Sequence, residues 1–143
     1  MTELLERISV LHKEQFESSG ITCKINCRDA TLEIWMDERI IEQVLINLVK
    51  NAMEALLETP EPELTLSAWQ SGGEAILAVK DNGTGIPGDQ LDHIFIPFYS
   101  TRDKGSGVGL SFSQHIMRMH RGSIHVRSKQ GEGTEIQLVF SRD

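Results

Sequence analysis

Long apolar runs are missing from this sequence. No window approaches the roughly 18 to 20 continuous apolar residues that a membrane-spanning helix requires, although 39% of the residues are hydrophobic. The opening Met1-Thr2-Glu3-Leu4-Leu5-Glu6 is acidic and amphipathic and does not read as a secretory signal. Cysteine is scarce: Cys23 and Cys27 stand four apart on a stretch of alternating polarity. They read as small core residues and not as a disulfide or a metal pair. A reducing, cytoplasmic setting is expected, whether or not the parent protein carries a membrane anchor. A basic excess is missing too, since the formal net charge is −7. With no basic stripe to neutralise phosphates, a nucleic-acid partner is not expected, and neither is membrane contact by this domain. A small anionic ligand is still allowed. It needs only a few local donors, and Arg102, Lys104 and several glycines fall close together.

The length, 143 residues, suits one ordinary domain. Residues 1–19 read as an amphipathic linker helix, broken by Gly20, and 20–143 as the domain proper. Ile21, Cys23, Ile25 and Cys27 alternate with polar residues, the period of a half-buried strand, and Leu32, Ile34 and Met36 repeat it. Asp37 is a plausible N-cap for a helix running to Glu58, with Ile41, Val44, Leu45, Leu48, Ala52, Ala55 and Leu56 on one arc. Strands at 63–70 and 74–81 join through Ser71-Gly72-Gly73 as a hairpin. Residues 82–107 carry repeated glycines, two prolines and only a short helix near Asp89 to Phe95, the profile of a binding loop or lid. A helix follows from about Val108 to His120, with Val108, Phe112, Ile116 and Met119 along one side and Gly122 as its left-handed cap. Two more strands, around Ile124 to Val126 and Ile136 to Phe140, complete the pattern. The expected fold is an α/β, two-layer sandwich. A mixed, mostly antiparallel sheet of about five strands would be covered on one face by about three helices.

Three constellations carry chemistry. Asn47 and Asn51 are one turn apart on the first long helix, at the rim of its apolar arc. Amide carbonyls placed so are hard oxygen ligands suited to Mg²⁺; the alternative is a solvated polar face. Asp81 shares its strand parity with Leu77 and Val79, so a carboxylate points toward the core. That costs on the order of several kcal/mol unless a donor answers it. An exocyclic amine such as that of adenine would do so, and Gly83 and Gly85 would let backbone and ligand approach closely; an ordinary Asp-Asn-Gly turn is the plainer account. Gly105-Ser106-Gly107-Val108-Gly109-Leu110 runs straight into a helix, where free backbone N–H groups form an anion site. Arg102 and Lys104 could complement a triphosphate there, and a flexible surface loop is again the plainer account. No G-x-x-x-x-G-K-[ST] occurs. The G-x-G-x-x-G spacing of Gly83, Gly85 and Gly88 is not a dinucleotide fingerprint, because Pro87 interrupts it and no long helix opens after it.

In this order, the three sets resemble the ATP-binding catalytic domain of two-component sensor histidine kinases, of the Bergerat-type fold shared with gyrase, heat-shock chaperone and mismatch-repair ATPases. The likeness covers about residues 20 to 141. Asn47 to Asn51 with Ala52, Glu54 and Ala55 look like the N box; Asp81, Gly83 and Gly85, followed by Ile86, like the G1 box. Phe95 to Thr101, with Pro97, Phe98 and Tyr99, look like the F box, Gly105 to Leu110 like the G2 box, and Gly131, Gly133 and Thr134 like the last glycine motif.

The resemblance implies ATP and Mg²⁺ as cofactors. Asp81 would bind the adenine amine and Thr134 would help close its pocket. Asn51, assisted by Asn47, would hold the metal. Gly107, Val108, Gly109 and Leu110 would meet the phosphates, with Arg102 near the γ-phosphate; Ile86, Tyr99, Thr101, Gly105 and Ser106 complete the nucleotide-binding set. Where the superfamily's ATPases usually carry a glutamate that activates water, this sequence has Asn47. An amide cannot serve as a base, which favours phosphoryl transfer to a side chain over hydrolysis. Glu54 stands where many of these kinases have a lysine, leaving Lys50 as the nearby cation. A lid over residues 96–106 would order on nucleotide binding. The phosphorylated histidine would sit on a separate dimerisation domain of the same parent kinase, with a response regulator as indirect partner. His12 is the nearest candidate by position, yet its neighbours do not match and a solvent-exposed linker histidine is expected. The isolated domain would be monomeric and turn over little. An anti-sigma-factor-like serine kinase and a non-catalytic nucleotide-binding docking module are the alternatives.

Overall fold

The computed structural model describes residues 1–28, 34–95 and 108–141. Its N-terminal helical stretch is two helices, α1 (Thr2–Leu11) and α2 (Lys13–Ser19), where the sequence suggests one. The break lies at His12. In a continuous helix the Ile8 carbonyl would accept from the His12 amide; here it lies 2.9 Å from the His12 ring Nδ1, and the His12 amide turns to Ser9 O at 3.3 Å. The ring stacks on Phe16 at 5.9 Å. His12 is therefore only 2% exposed, not the solvated histidine expected from sequence. Leu4, Leu5, Ile8 and Phe16 belong to the same core cluster as the sheet. Gly20 ends α2 in the left-handed region at φ 68°.

Strand β1 (Thr22–Cys27) follows. Cys23 and Cys27 are half-buried against the core, as expected, while Ile25 is exposed at the sheet edge. Leu32, where the second alternation begins, lies outside the described residues, and Ile34 and Met36 stand outside any strand. Both side chains pack on the core from an irregular approach to the next helix. Asp37 caps that helix, α3 (Glu38–Ala55), its carboxylate accepting from the amides of Arg39 and Ile40. Ile41, Val44, Leu45, Leu48, Val49, Ala52 and Ala55 form its buried stripe, at the helical period that the sequence shows.

Strands β2 (Glu63–Ser71) and β3 (Glu74–Asp81) make the hairpin turned by Gly72 and Gly73. Then come a single 3₁₀ turn at Leu91–His93, in place of the longer helix suggested there, α4 (Val108–Met119), β4 (Gly122–Lys129) and β5 (Gly133–Ser141). The sheet order is β1-β2-β3-β5-β4, parallel only between β1 and β2. Because β3 is antiparallel to both neighbours, the glycines after it cannot open a dinucleotide-binding βαβ unit. Leu64, Leu66 and Ala68 of β2, Ala75, Leu77 and Val79 of β3, and Ile136, Leu138 and Phe140 of β5 line one face. They join the helices in one core cluster.

Two expectations need correction. Helix α4 buries Ser113, Ile116 and Met117, whereas Phe112 and Met119 are exposed, so its inner face is turned from the one proposed. Gly122 is not a left-handed cap: Arg121 takes the positive φ of 57°. Gly122 begins β4 where a Cβ would lie 2.4 Å from Val139 O and 2.8 Å from a Met117 methyl. It serves close packing, not backbone freedom.

Candidate functional site

The site grows from the end of β3. Asp81 ends the strand with the parity of Leu77 and Val79, so its carboxylate faces the helices, and it is only 6% exposed. Its register neighbours are Leu64 on β2 and Thr134 on β5. Thr134 is 8% exposed, and residues directly opposite in a ladder share a face. A buried carboxylate thus stands beside a buried hydroxyl. Asp81 Oδ1 accepts from the Gly83 amide at 2.9 Å, which fixes the turn.

The turn after Asp81 is held from both sides. On one side it meets the C-terminal end of α3: the Thr84 amide donates to Ala55 O at 3.2 Å, one of the carbonyls a helix end leaves without an intrahelical partner. A Cβ on Gly83 would come within 2.4 Å of that same oxygen. On the other side it meets the β4–β5 turn: the Gly131 amide donates to Thr84 O at 2.7 Å, and a Cβ on Gly85, at φ 72°, would lie 2.2 Å from Lys129 O. Both glycines that the sequence singles out are required by contact. Asn82 fastens the turn to β2, its Oδ1 accepting from the Glu63 amide and its amide nitrogen donating to Glu61 O.

Asn47, Asn51 and Ala55 lie at successive i, i+4 positions of α3. Four residues rise about 6 Å, so the half-buried Asn51 is one turn from the carbonyl that touches the Asp81 turn, and the half-buried Asn47 one turn further. Asn51 thus lies close to the end of α3 on which the Asp81 turn packs, and Asn47 nearer the middle of the helix. Lys50 is exposed and Glu54 half-buried. Val108 and Gly109 form the first turn of α4, as the sequence suggests, and Leu110 packs half-buried on the core. Ile86 is half-buried, its amide donating to Ser128 Oγ at 2.7 Å. Tyr99, Thr101, Arg102, Gly105, Ser106 and Gly107, and with them the proposed lid, lie outside the described residues.

Sequence reasoning missed Ser128. No spacing marks a serine two residues before a turn, and its role depends on the pairing of β4 with β5. An open cavity is lined by Lys80, Arg127 and Glu135 alongside Asp81, Ser128 and Thr134. Lys80, Arg127 and Glu135 have the opposite parity to Asp81 and Thr134, so it opens on the far side of the sheet. We place the chemistry on the α3 side, where the Asp81 carboxylate points. Among the described residues no cluster of three or more His, Cys, Asp or Glu side chains could hold a metal ion. None of the described helices is long and apolar enough to cross a membrane.

Comparison with known proteins agrees with this geometry. The family model described as histidine kinase-, DNA gyrase B-, and HSP90-like ATPase matches residues 36–143. The chain is 33% identical over 141 residues to sporulation kinase C of Bacillus subtilis, covering 98% of this chain and 32% of that protein. It is 33% identical over 138 residues to the sensor histidine kinase ZraS of Escherichia coli, covering 96% and 29%. The chain thus spans about a third of the length of these curated relatives. Among solved structures, the nucleotide-free catalytic domain of histidine kinase ThkA superposes with a TM-score of 0.88 at 28% identity, over 99% of this chain and 92% of that one. Full-length ShkA, solved in complex with AMPPNP, gives 0.86 at 25% identity, over 99% and 29%.

Proposed function

The chain belongs to the histidine kinase-, DNA gyrase B-, and HSP90-like ATPase family, and from that premise we propose that it holds Mg-ATP at the Asp81 end of β3 for phosphoryl transfer to a histidine on a separate dimerisation domain of the same parent kinase. The observation that carries the reading is the buried pair in register, Asp81 beside Thr134. A carboxylate and a hydroxyl facing the same space suit an amino group on a flat base. Burial makes the pair selective, because an unanswered polar group there is costly. The complex of the similar protein ShkA with AMPPNP, an ATP analogue, is consistent with this assignment.

The remaining roles follow the order of the elements. Asn51, with Asn47, would hold Mg²⁺ through neutral amide oxygens, which suits a cation that already carries phosphate oxygens and water. The cation would supply charge neutralisation between phosphates. The N-terminus of α4, from Val108 to Leu110 with Gly105 to Gly107 before it, would receive phosphate oxygens through backbone amides. Arg102 would offer a fork to the outermost phosphate, and Ile86, Tyr99 and Thr101 would border the nucleotide. Asn47 offers no base, so the domain would position and stabilise a transferring group without activating water. The ring of His12 is buried and bonded to Ile8 of α1, which argues against His12 as the acceptor and supports a histidine on the separate dimerisation domain. Residues 1–19 would then serve as the attached helical stretch, a response regulator as downstream partner, and the isolated domain as a cytoplasmic monomer with little turnover.

Calorimetric titration with ATP, ADP and GTP, with and without Mg²⁺, tests the reading. Asp81→Asn replaces the carboxylate by an amide of the same shape. Loss of a charge-assisted bond of about 1.5–3 kcal/mol should weaken ATP binding roughly ten- to hundredfold. Unchanged affinity would remove Asp81 from the site. Asn51→Ala should abolish the part of the ATP affinity that depends on Mg²⁺ while leaving metal-free binding in place; an undiminished Mg²⁺ effect counts against the amide ligands.

A further inference from the structure

Ser128 stands opposite Thr134 on the neighbouring strand. Asp81, Thr134 and Ser128 thus form a row across β3, β5 and β4. The Ser128 hydroxyl has three neighbours: the Ile86 amide nitrogen at 2.7 Å, Thr134 Oγ1 at 2.8 Å and the Gly133 carbonyl oxygen at 3.1 Å. A serine hydroxyl has one proton to give and two lone pairs to receive. The Ile86 amide can only donate and the Gly133 carbonyl can only accept. With the serine proton on Gly133 O and one lone pair taken by Ile86, the remaining lone pair calls for the proton of Thr134. This allotment satisfies all three contacts. The opposite one, with Ser128 donating to Thr134, sets two acceptors against each other at Gly133.

We infer that Ser128 is a positioning and specificity-determining residue: by taking the Thr134 proton, it turns the Thr134 hydroxyl into an acceptor beside the Asp81 carboxylate. The inference rests on the reading of this row as the base site. Two adjacent acceptors match the two hydrogens of an exocyclic amine. A keto oxygen in the same place meets lone pairs from both sides and leaves buried acceptors unanswered, the situation in which polar sites discriminate most strongly. Without Ser128 the Thr134 hydroxyl is free to rotate and donate, and a 6-oxo base becomes tolerable. Ser128 would act only through Thr134 and through the amide of Ile86.

The test uses the whole chain and three triphosphates that share a purine frame: ATP with a 6-amino group, inosine triphosphate with a 6-oxo group, and purine riboside triphosphate with neither. Ser128→Ala is expected to lower the ratio of ATP to inosine triphosphate affinity by about tenfold, with purine riboside triphosphate nearly unaffected. Ser128→Thr, which keeps the hydroxyl, is expected to restore the ratio. If the alanine form melts below the assay temperature, Ser128→Cys carries the same test, because a thiol is a weak donor and acceptor of similar size. An unchanged ratio in Ser128→Ala, or an equal loss of affinity for all three ligands, would show a merely structural serine and overturn the inference. If the unmutated chain already binds ATP and inosine triphosphate equally, the base reading of Asp81 fails, and the inference with it. Discrimination in the unmutated chain with no change in the variant removes Ser128 alone.

Discussion

At its N-terminal end α3 is held by side chains. The Asp37 carboxylate caps the amides of Arg39 and Ile40, the Asp37 amide donates to His120 Nε2 at 3.1 Å, and Arg7 of α1 reaches Glu38 at 3.1 Å and Glu42 at 3.2 Å. At its C-terminal end the same helix is held by main chain: Ala55 O accepts from the Thr84 amide, and Gly83 packs so close that a single added carbon would meet that oxygen. The first set is made by side chains, most of them exposed and with Glu42 and His120 half-buried, which adjust when a partner is lost and contribute little individually. The second has no adjustable part. Asn51 stands one turn from the rigid end, and Asp81 begins the turn packed against it. The residues proposed to hold the nucleotide, which would have to do so within fractions of an ångström, are thus tied to the end with the least freedom.

The largest effect should come from the rigid end. Gly83→Ala places a Cβ where the Ala55 carbonyl already lies, so α3 and the Asp81 turn must separate. Overpacking of this kind costs about 1–3 kcal/mol in stability, and the separation should weaken ATP binding out of proportion to the loss of stability. Chemical denaturation and calorimetry on the same sample give both quantities. A variant that melts normally and binds ATP normally would show that main-chain contact is not what fixes the site.

The side-chain end should behave differently. Asp37→Ala removes the cap and should cost about 1 kcal/mol, read as a shift in denaturation midpoint, with ATP affinity retained. The Asp37 amide and its bond to His120 survive this change. If Asp37→Ala weakens ATP binding as much as Gly83→Ala does, the contrast between the two ends collapses, and α3 transmits strain along its length.

The same contrast explains what could be read from sequence. Asp37 was legible because a cap acts on its own next two or three residues, the Asn47–Asn51 pair because helix spacing is fixed, and the inward carboxylate of Asp81 because strand parity is fixed. The Gly72–Gly73 hairpin is equally local. The break at His12 was not legible: it depends on a ring reaching back to Ile8 O and stacking on Phe16, and nothing in the amphipathic pattern signals it. Gly122 was visible as a glycine, but its cause, Val139 O across the ladder, lies seventeen positions away. Ser128 was invisible for the same reason, since it meets Thr134 and the Ile86 amide only once β4 pairs with β5 and the Asp81 turn folds onto both. The face of α4 was misread because Phe112 and Met119, apolar and correctly spaced, are exposed, while the small Ser113 is buried. Local rules marked the candidate site residues one by one; contacts between distant segments decide how those side chains are oriented.

A smaller effect probes the adjustable side near α1. Burial pushes the Cys23 thiol of β1 up from its ordinary value, and a hydrogen bond with Ser9 of α1 pulls it partly back. A thiol whose pKa is raised in the folded chain keeps its proton where the unfolded chain has released it. Its contribution to stability is complete below the ordinary thiol range and declines as pH rises through about 8.5 toward the raised value. Denaturation midpoints measured across that range should therefore fall more steeply for the unmutated chain than for Cys23→Ala, and the two curves should run parallel at neutral pH. Because the thiol is only half-buried, the difference should be the smallest of the three. Affinity for ATP, compared between the two chains at each pH, should show no such divergence, since β2 stands between Cys23 and Asp81, with Leu64 in register with both. Identical pH slopes would mean that the β1–α1 junction does not sense the thiolate; a divergence in ATP affinity instead would mean that the thiolate is felt across β2 at Asp81.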